Sequence, residues 1–418
     1  MVVIGKTAAE RVVAEIHRDG EVFEGLREEW GELYEHCPGA TPFQSWEWLY
    51  TWWEHYGGDY GLRLVALREA GEGTLVGLLP LMLDPHPVAG RLTLIGNSAY
   101  SAPYSSYLDV LAREGWEEEV SRGGARALWE MGGWAVADLQ ELRPGAAAWG
   151  LVDSWNGPCA RLWHGYCTWV RAGSWDEALA SVSKGTRSDA RRALRRVRER
   201  GMSWVHHSGP QEAAEAASRL VALNREQWAG RWEDTGPEHW SPRFESHLRL
   251  AAGRLAERRL GVVGELRLGD DAVLSTLMFF GRDFVGLYIV GAGESAREMP
   301  SYSALFMRDM IDLANEAGIP HVNLFGGEDA YKLRWNPQRV HNRRVLLGRR
   351  RAVFLPYAGY LKLRTRLVRY AKSGEAPPWV SGLPARYRRL RYRGARFLKN
   401  EHTPRWLRRM AGQWFKGV

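Results

Sequence analysis

The 418-residue sequence predicts an α/β fold with mixed sheets, built as two successive units and followed by a basic, aromatic helical tail. Three observations carry this expectation. Apolar residues recur with strand and helix periods in two similar runs along the chain, punctuated by Gly and Pro. The composition, 45% hydrophobic and 25% charged, is that of a globular protein long enough for about two to three domains. The charge is also split. Residues from Arg339 to Val418 carry 22 Lys/Arg against only Glu375 and Glu401, a net of +20, whereas residues 1–338 sum to −12.

The first unit is expected over residues 1–170. A strand from Ala9 to Ile16 leads to a helix from Glu21 to His36. Thr41-Pro42-Phe43-Gln44-Ser45 then forms a turn, with Ser45 as N-cap and Glu47 in the first turn of a Trp-rich helix, Trp46 to Tyr56, which Gly57-Gly58 stops. Leu62 to Arg68 and Thr74 to Leu83 alternate as a hairpin across Gly71-Glu72-Gly73. A short strand from Arg91 to Ile95, a helix from Trp116 to Met131 and a strand from Ala135 to Leu139 complete the unit.

The second unit is expected over residues 171–350. It opens with helices at Trp175 to Ser181 and Lys184 to Arg200, then a strand from Ser203 to His207. Helices at Gln211 to Trp228 and Pro242 to Ala256 precede a hairpin, Leu260 to Leu268 and Val273 to Phe280, across Gly269-Asp270-Asp271. The strand Val285 to Gly291, the helix Ser301 to Ala317 and the strand His321 to Phe325 follow, with a last strand near Arg343 to Leu347. Both units run through a helix, a hairpin, a loop, a helix and a closing strand, without a residue-level repeat. Residues 351–418 form the tail, where prolines separate short helices such as Leu361 to Lys372 and Ala385 to Lys399.

Several classes of function are disfavoured. No run reaches the ~20 apolar residues of a membrane span, and the N-terminus lacks a signal-peptide pattern, so a cytoplasmic location is expected. Cys37, Cys159 and Cys167 make neither a disulfide framework nor a zinc spacing, and no metal site is expected. His206-His207 has no metal-spaced partner. The 21 tryptophans read as core filling and surface anchoring. No Gly-x-Ser-x-Gly, phosphate-loop or Cys/His nucleophile pattern occurs.

The chemistry concentrates where the strand His321 to Phe325 opens into Gly326-Gly327-Glu328-Asp329-Ala330-Tyr331-Lys332. A carboxylate after a strand end and a Gly-Gly turn is well placed for acid–base work in an α/β sheet. Glu328 is the candidate base or amine-binding group, and Asp329 a second carboxylate or a helix cap. Tyr331 and Lys332 are candidates for an acid and an oxyanion donor, Lys332 being equally suited to a structural ion pair. Tyr288 and Tyr302 are further candidates for proton delivery, Arg297 for a phosphate contact, and Ser101 to Asp109 for an acceptor-lining loop. On Lys184 to Arg200, Arg191, Arg195 and Arg198 fall at helical spacing and suit a polyanion, either a tRNA backbone or anionic lipid. Arginines interleaved with aromatics in the tail suit nucleic acid or an anionic membrane surface.

Phe43-Gln44-Ser45 before a Trp-rich helix, the basic helix near Lys184, and Gly-Glu-Asp-Ala-Tyr-Lys-Leu-Arg-Trp from Gly327 to Trp335 together resemble the CelD/BcsL-type acetyltransferases. These are relatives of the GNAT superfamily and of the Fem-type aminoacyl-tRNA-dependent ligases. The resemblance covers roughly residues 10–350. It implies two tandem GNAT-like domains and transfer of an acyl group to an amine on a small molecule, sugar or peptide precursor. Acyl-CoA is then the expected co-substrate, with no tightly bound cofactor. The loop expected to hold the donor is Arg297 to Tyr302, with Ser301 at the start of its helix. Pro300 and Tyr302 stand there in place of the glycines that let a pyrophosphate approach backbone N–H groups. That departure keeps aminoacyl-tRNA open as the donor. A non-catalytic nucleic-acid or membrane adaptor working through the tail is the alternative from another class.

Overall fold

The computed structural model describes residues 2–4, 11–84, 90–97, 104–230, 237–327, 329–372 and 375–377. Glu328, Ser101 to Pro103 and the helix expected over Ala385 to Lys399 lie outside the described residues. The chain divides into two compact units. Unit 1 comprises Met1–His164, Arg231–Ser241 and Asn342–Val418; unit 2 comprises Gly165–Gly230 and Pro242–His341. Each is a mixed α/β sheet, the fold class expected from the sequence.

Unit 1 begins with strands β1 (Val2–Ile4) and β2 (Val12–His17) and the helices α1 (Val22–Gly25) and α2 (Arg27–Glu35). The single helix expected over Glu21 to His36 is thus broken between Gly25 and Arg27. Helix α3 (Trp46–Tyr56) starts where its cap requires, with Ser45 Oγ accepting from Trp48 N at 3.2 Å. Strands β3 (Gly61–Glu69), β4 (Leu75–Asp84), β5 (Arg91–Leu94) and β6 (Leu111–Ala112) follow, then α4 (Glu117–Met131), β7 (Val136–Leu142) and α5 (Trp149–Asp153). Trp30, Trp48 and Trp52 are fully buried. The polar edges of the first two find partners: Trp30 Nε1 donates to Gln44 O at 2.9 Å and Trp48 Nε1 to Ser105 Oγ at 2.8 Å.

Strand β8 (Cys159–Arg171) carries the chain from unit 1 into unit 2. It was not expected, because its aromatic and basic residues give no clean alternation, and its burial is correspondingly irregular. Unit 2 then adds α6 (Trp175–Ala180), α7 (Lys184–Glu199), β9 (Ser203–His207), α8 (Pro210–Gln227), α9 (Pro242–Glu257), β10 (Gly261–Leu268), β11 (Asp271–Phe280) and β12 (Val285–Ala292). It ends with α10 (Glu294–Arg297), α11 (Ser303–Glu316), β13 (His321–Gly326) and α12 (Ala330–Leu333). Strand β14 (Gln338–Gly348) carries the chain back to unit 1, where α13 (Arg351–Lys372) packs. The helix expected to start at Leu361 starts ten residues earlier and includes Pro356. A proline in the second turn removes a single hydrogen-bond donor, and Phe354, Ala358 and Leu361 anchor the helix in the core around it.

The strands of the two units have one wiring. In unit 1 the order is β1-β2-β3-β4-β5-β7-β14, with β6 beside β4; in unit 2 it is β9-β10-β11-β12-β13-β8. Among the described residues the strand pairs within each are antiparallel except β5 with β7 and β12 with β13. The rough similarity of the two runs in the sequence is therefore a repeat of strand order. Each unit's strand order ends in a strand that follows the other unit's last parallel strand: β14 in unit 1 and β8 in unit 2.

Candidate active site in the second unit

Strands β12 and β13 are parallel neighbours for only two residue pairs, Val285↔Val322 and Gly286↔Asn323. Beyond them no ladder joins the two strands, and the sheet opens toward their C-terminal ends, the usual place for a ligand in a parallel pair. Irregularities on both strands accompany the opening. Tyr288 is the extra residue where β12 shifts register against β11, between the pairs Leu277↔Ile289 and Met278↔Leu287. On β13, Leu324 and Phe325 lie opposite Thr168 of β8, and Phe325 takes a φ of 53°. Asn323 holds this bulge by accepting from Phe325 N at 2.8 Å, and Thr168 Oγ1 donates to Phe325 O at 3.2 Å. The Phe325 ring lies over Gly286, where any Cβ would meet it at 2.3 Å.

The chain then turns through Gly327, whose φ of 109° excludes other residues without strain. That turn delivers Asp329, Tyr331 and Lys332. Lys332 is buried, and its ammonium donates to Gly326 O and pairs with Asp329 Oδ2 at 3.2 Å. Burial pushes its pKa below the ordinary lysine value, and the Asp329 carboxylate offsets this only in part. Tyr331 packs edge-on against Phe306, 5.8 Å between centroids, and Tyr302 meets the same ring at 6.3 Å. Burial, then the Asp329 charge, push the Tyr331 hydroxyl far above the ordinary tyrosine range, so it keeps its proton.

The structure therefore gathers Tyr302, Tyr331, Lys332 and Asp329 around the end of β13 and the start of α11. Ser301 is buried beside them, its Oγ 3.2 Å from Ser303 Oγ. Tyr302 is the N-cap of α11 and supplies no side-chain cap. Tyr288 is half-buried and stacks on Phe279 at 4.9 Å. Arg297 pairs with Glu226 of α8 at 3.0 Å. Arg191, Arg195 and Arg198 lie exposed on α7, whose Ala190 and Ala193 face the core. His206 and His207 contact Asp309 and Glu265, at 3.0 and 2.9 Å. Among the described residues no group of His, Cys, Asp and Glu is arranged to hold a metal ion.

Sequence reasoning missed Asn224 and Gln227 of α8. Asn224 Nδ2 donates to Val290 O, and Gln227 Oε1 accepts from Ala292 N at 3.0 Å. Gln227 Nε2 also reaches Tyr302 OH at 3.5 Å. These two amides hold the end of β12 and link it to Tyr302. Their signal was present: two polar residues continuing the buried stripe of Ala213, Ala217, Leu220 and Val221.

Unit 1 uses its equivalent bulge differently. Gln140 and Glu141 of β7 lie opposite Arg344, and Glu141 takes a φ of 62° where unit 2 has Phe325. The buried Glu141 carboxylate accepts from Tyr104 OH, lies 2.8 Å from His164 Nε2 and accepts from Asn342 Nδ2 at 2.6 Å. Burial alone would raise its pKa, but His164, Tyr104 and Asn342 hold it below the ordinary value. Three residues earlier, the fully buried Asp138 binds Arg344 Nε at 2.5 Å and Tyr357 OH at 2.6 Å, with Arg91 at 3.7 Å. No sequence spacing announces either cluster, because its members come from distant parts of the chain.

Residues 184–333 match the family model described as an acetyltransferase (GNAT) domain. The match falls in unit 2 apart from residues 231–241, and includes Arg297 to Tyr302 and Asp329 to Lys332. No curated protein matches the chain. Among solved structures, FemX is similar over 76% of this chain and 95% of its own, with 11% identity and a TM-score of 0.53. L-PGS from Bacillus licheniformis gives 13% identity, a TM-score of 0.48 and coverage of 82% and 95%. A tandem GNAT protein from the clavulanic acid pathway gives 13%, 0.40, and 79% and 98%. The chain thus has a FemX-like fold, and its second unit is similar to GNAT domains.

Proposed function

We propose that the chain is an N-acyltransferase, forming an amide on the amine of a small molecule, sugar or peptide precursor at the open end of β12 and β13. The observation that carries this reading is the buried Lys332 ammonium at the foot of that opening. An ammonium has three N–H donors. One is directed to Gly326 O and one to Asp329, which leaves the third for an incoming oxygen. A donor carbonyl attacked by an amine gives a tetrahedral oxyanion, which a preorganised, water-poor donor stabilises more than it stabilises the starting carbonyl.

Amide formation also needs the ammonium of the acceptor to lose a proton and the leaving group to gain one. We assign the first role to Glu328, beside Gly327 in sequence, with Asp329 as the nearby carboxylate. The Tyr331 hydroxyl is the donor we assign to the leaving group, and Tyr302 orients it through their shared contact with Phe306. The start of α11, with Ser301 and the uncapped Tyr302, receives the donor's phosphates, and Arg297 supports them.

Acyl-CoA is the donor we favour, used as a co-substrate. Pro300 and the bulk of Tyr302, with the outward arginines of α7, favour a second reading in which the donor is aminoacyl-tRNA. Incubation of the purified protein with acyl-CoA or with charged tRNA and a panel of amines separates the two by the mass gained on the acceptor. Loss of turnover in Glu328→Gln and Lys332→Ala supports the site, and unchanged turnover in both refutes it. If neither donor binds, acyl transfer itself fails.

A further inference from the structure

Helix α13 is apolar on two opposite faces. Phe354, Ala358 and Leu361 lie in the core of unit 1. The other face carries Leu355, Tyr360, Leu363, Leu367 and Tyr370, which are five of the eleven large apolar side chains exposed among the described residues. The three leucines are 61, 59 and 56% exposed, a heavy cost if water were the permanent neighbour. Their spacing places them along one stripe.

The charges of the helix identify the neighbour. It contains Arg351, Lys362, Arg364, Arg366, Arg369 and Lys372 and no acidic residue. The 46 residues that follow it add 11 Lys/Arg and two acids. Arg369 also stacks over Trp163 at 5.6 Å, placing an indole beside the cationic border. Two copies of such a helix would repel each other face to face. An apolar stripe bordered by cations, tyrosines and an indole fits the boundary between anionic headgroups and acyl chains. Neither α13 nor any other described helix is long and apolar enough to cross a membrane.

We propose that the outward face of α13 docks in the plane of an anionic lipid surface, with Leu355, Leu363 and Leu367 inserted and the flanking arginines on lipid phosphates. Co-sedimentation of the full chain with vesicles of phosphatidylglycerol or of phosphatidylcholine tests it. The wild type should bind the anionic vesicles, not the zwitterionic ones, and release them as salt rises. Leu363→Ser with Leu367→Ser should weaken partitioning by at least about tenfold, since each buried methylene contributes. Arg364→Ala and Arg366→Ala should each cost about fivefold. All four positions are exposed, so melting temperatures should not change. Equal binding by the leucine variant would overturn the proposal, because the basic segment alone would then account for attraction. So would equal affinity for phosphatidylcholine, or a dimer in gel filtration that the leucine variant abolishes, which would make a second copy the occupant.

Discussion

Replacing Lys332 by Met separates a catalytic ammonium from a structural one. Methionine keeps the length and apolar volume of the side chain while removing the charge and its donors. In the folded protein the substitution loses the hydrogen bond to Gly326 O and the 3.2 Å pair with Asp329, which is itself exposed. It also removes the cost of burying an ammonium. These terms oppose each other, so the expected change in stability is within about 1–2 kcal/mol. If the third N–H meets the oxyanion, kcat falls by about 10²–10³, or roughly 2.7–4 kcal/mol of transition-state stabilisation. The pH dependence gives an independent check. Burial lowers the pKa of Lys332 in the folded state, whereas the unfolded chain holds that proton to about pH 10.4. Between the two values the unfolded state binds more protons, so stability rises with pH across that window. Activity, which needs the ammonium, should fall as pH enters the same window from below. Steady-state kinetics and thermal melts from neutral to alkaline pH would show both trends in the wild type and neither in Lys332→Met. A variant that retains turnover while losing several kcal/mol of stability would refute the oxyanion role.

Three further outcomes follow from other residues. Gly327→Ala places a Cβ 2.9 Å from Asp329 Oδ2 and 3.2 Å from Lys332 Nζ at a φ of 109°; it should cost about 1–3 kcal/mol in thermal melts and lower turnover together. Asp138→Ala strands the buried Arg344 and should destabilise unit 1 by about 3–5 kcal/mol, a drop of roughly 6–20 °C in Tm, with partial recovery on adding Arg344→Met. Asp109 is buried against the backbone N–H groups of Val110, Ala147 and Ala148, and burial pushes its carboxyl up to about 6. Its folded pKa exceeds the unfolded value of about 3.9, so its stabilisation is present below that value and lost as pH rises through about 6; Asp109→Asn should lack this decline in a pH series of melts.

What the sequence revealed and what it hid divide along the distance between partners. Helix α3 was legible from end to end because its signals are local: Ser45 at the cap, indoles at helical spacing, and a Gly-Gly stop. The hairpin of β10 and β11 was legible for the same reason. In the candidate site, Tyr331, Lys332 and Asp329 stood out as neighbours in sequence, and Tyr302 as the start of a helix. That Tyr302 and Tyr331 share Phe306 depends on the packing of α11 against β13 and had no local mark. The bulge residues were hidden more deeply. Nothing in Gln140-Glu141-Leu142 announces a positive φ at an acidic residue, because two residues face one only once β14 lies alongside. Strand β8 was missed because neither of its faces is uniformly apolar.

The strand exchange also sets a timetable for synthesis. Strand β7 has its antiparallel partner in Arg343 to Gly348, and Asp138 waits for Arg344 and Tyr357. A ribosome that has just completed β7 must make about 200 further residues before that partner exists, about 10–40 s at ~5–20 residues per second. Until then the nascent first unit presents an open sheet edge and a buried-to-be carboxylate with Arg91 alone, at 3.7 Å in the finished fold, in place of the bonded Arg344. Unit 2 meets no such delay, since β8 precedes the strand it pairs with, and it can close as soon as β13 emerges. The second half of the chain is therefore free to fold before the first is finished, the reverse of the usual N-to-C order. Release of the chain early, or a break between β13 and β14, would leave the earlier-made half as the unfolded one.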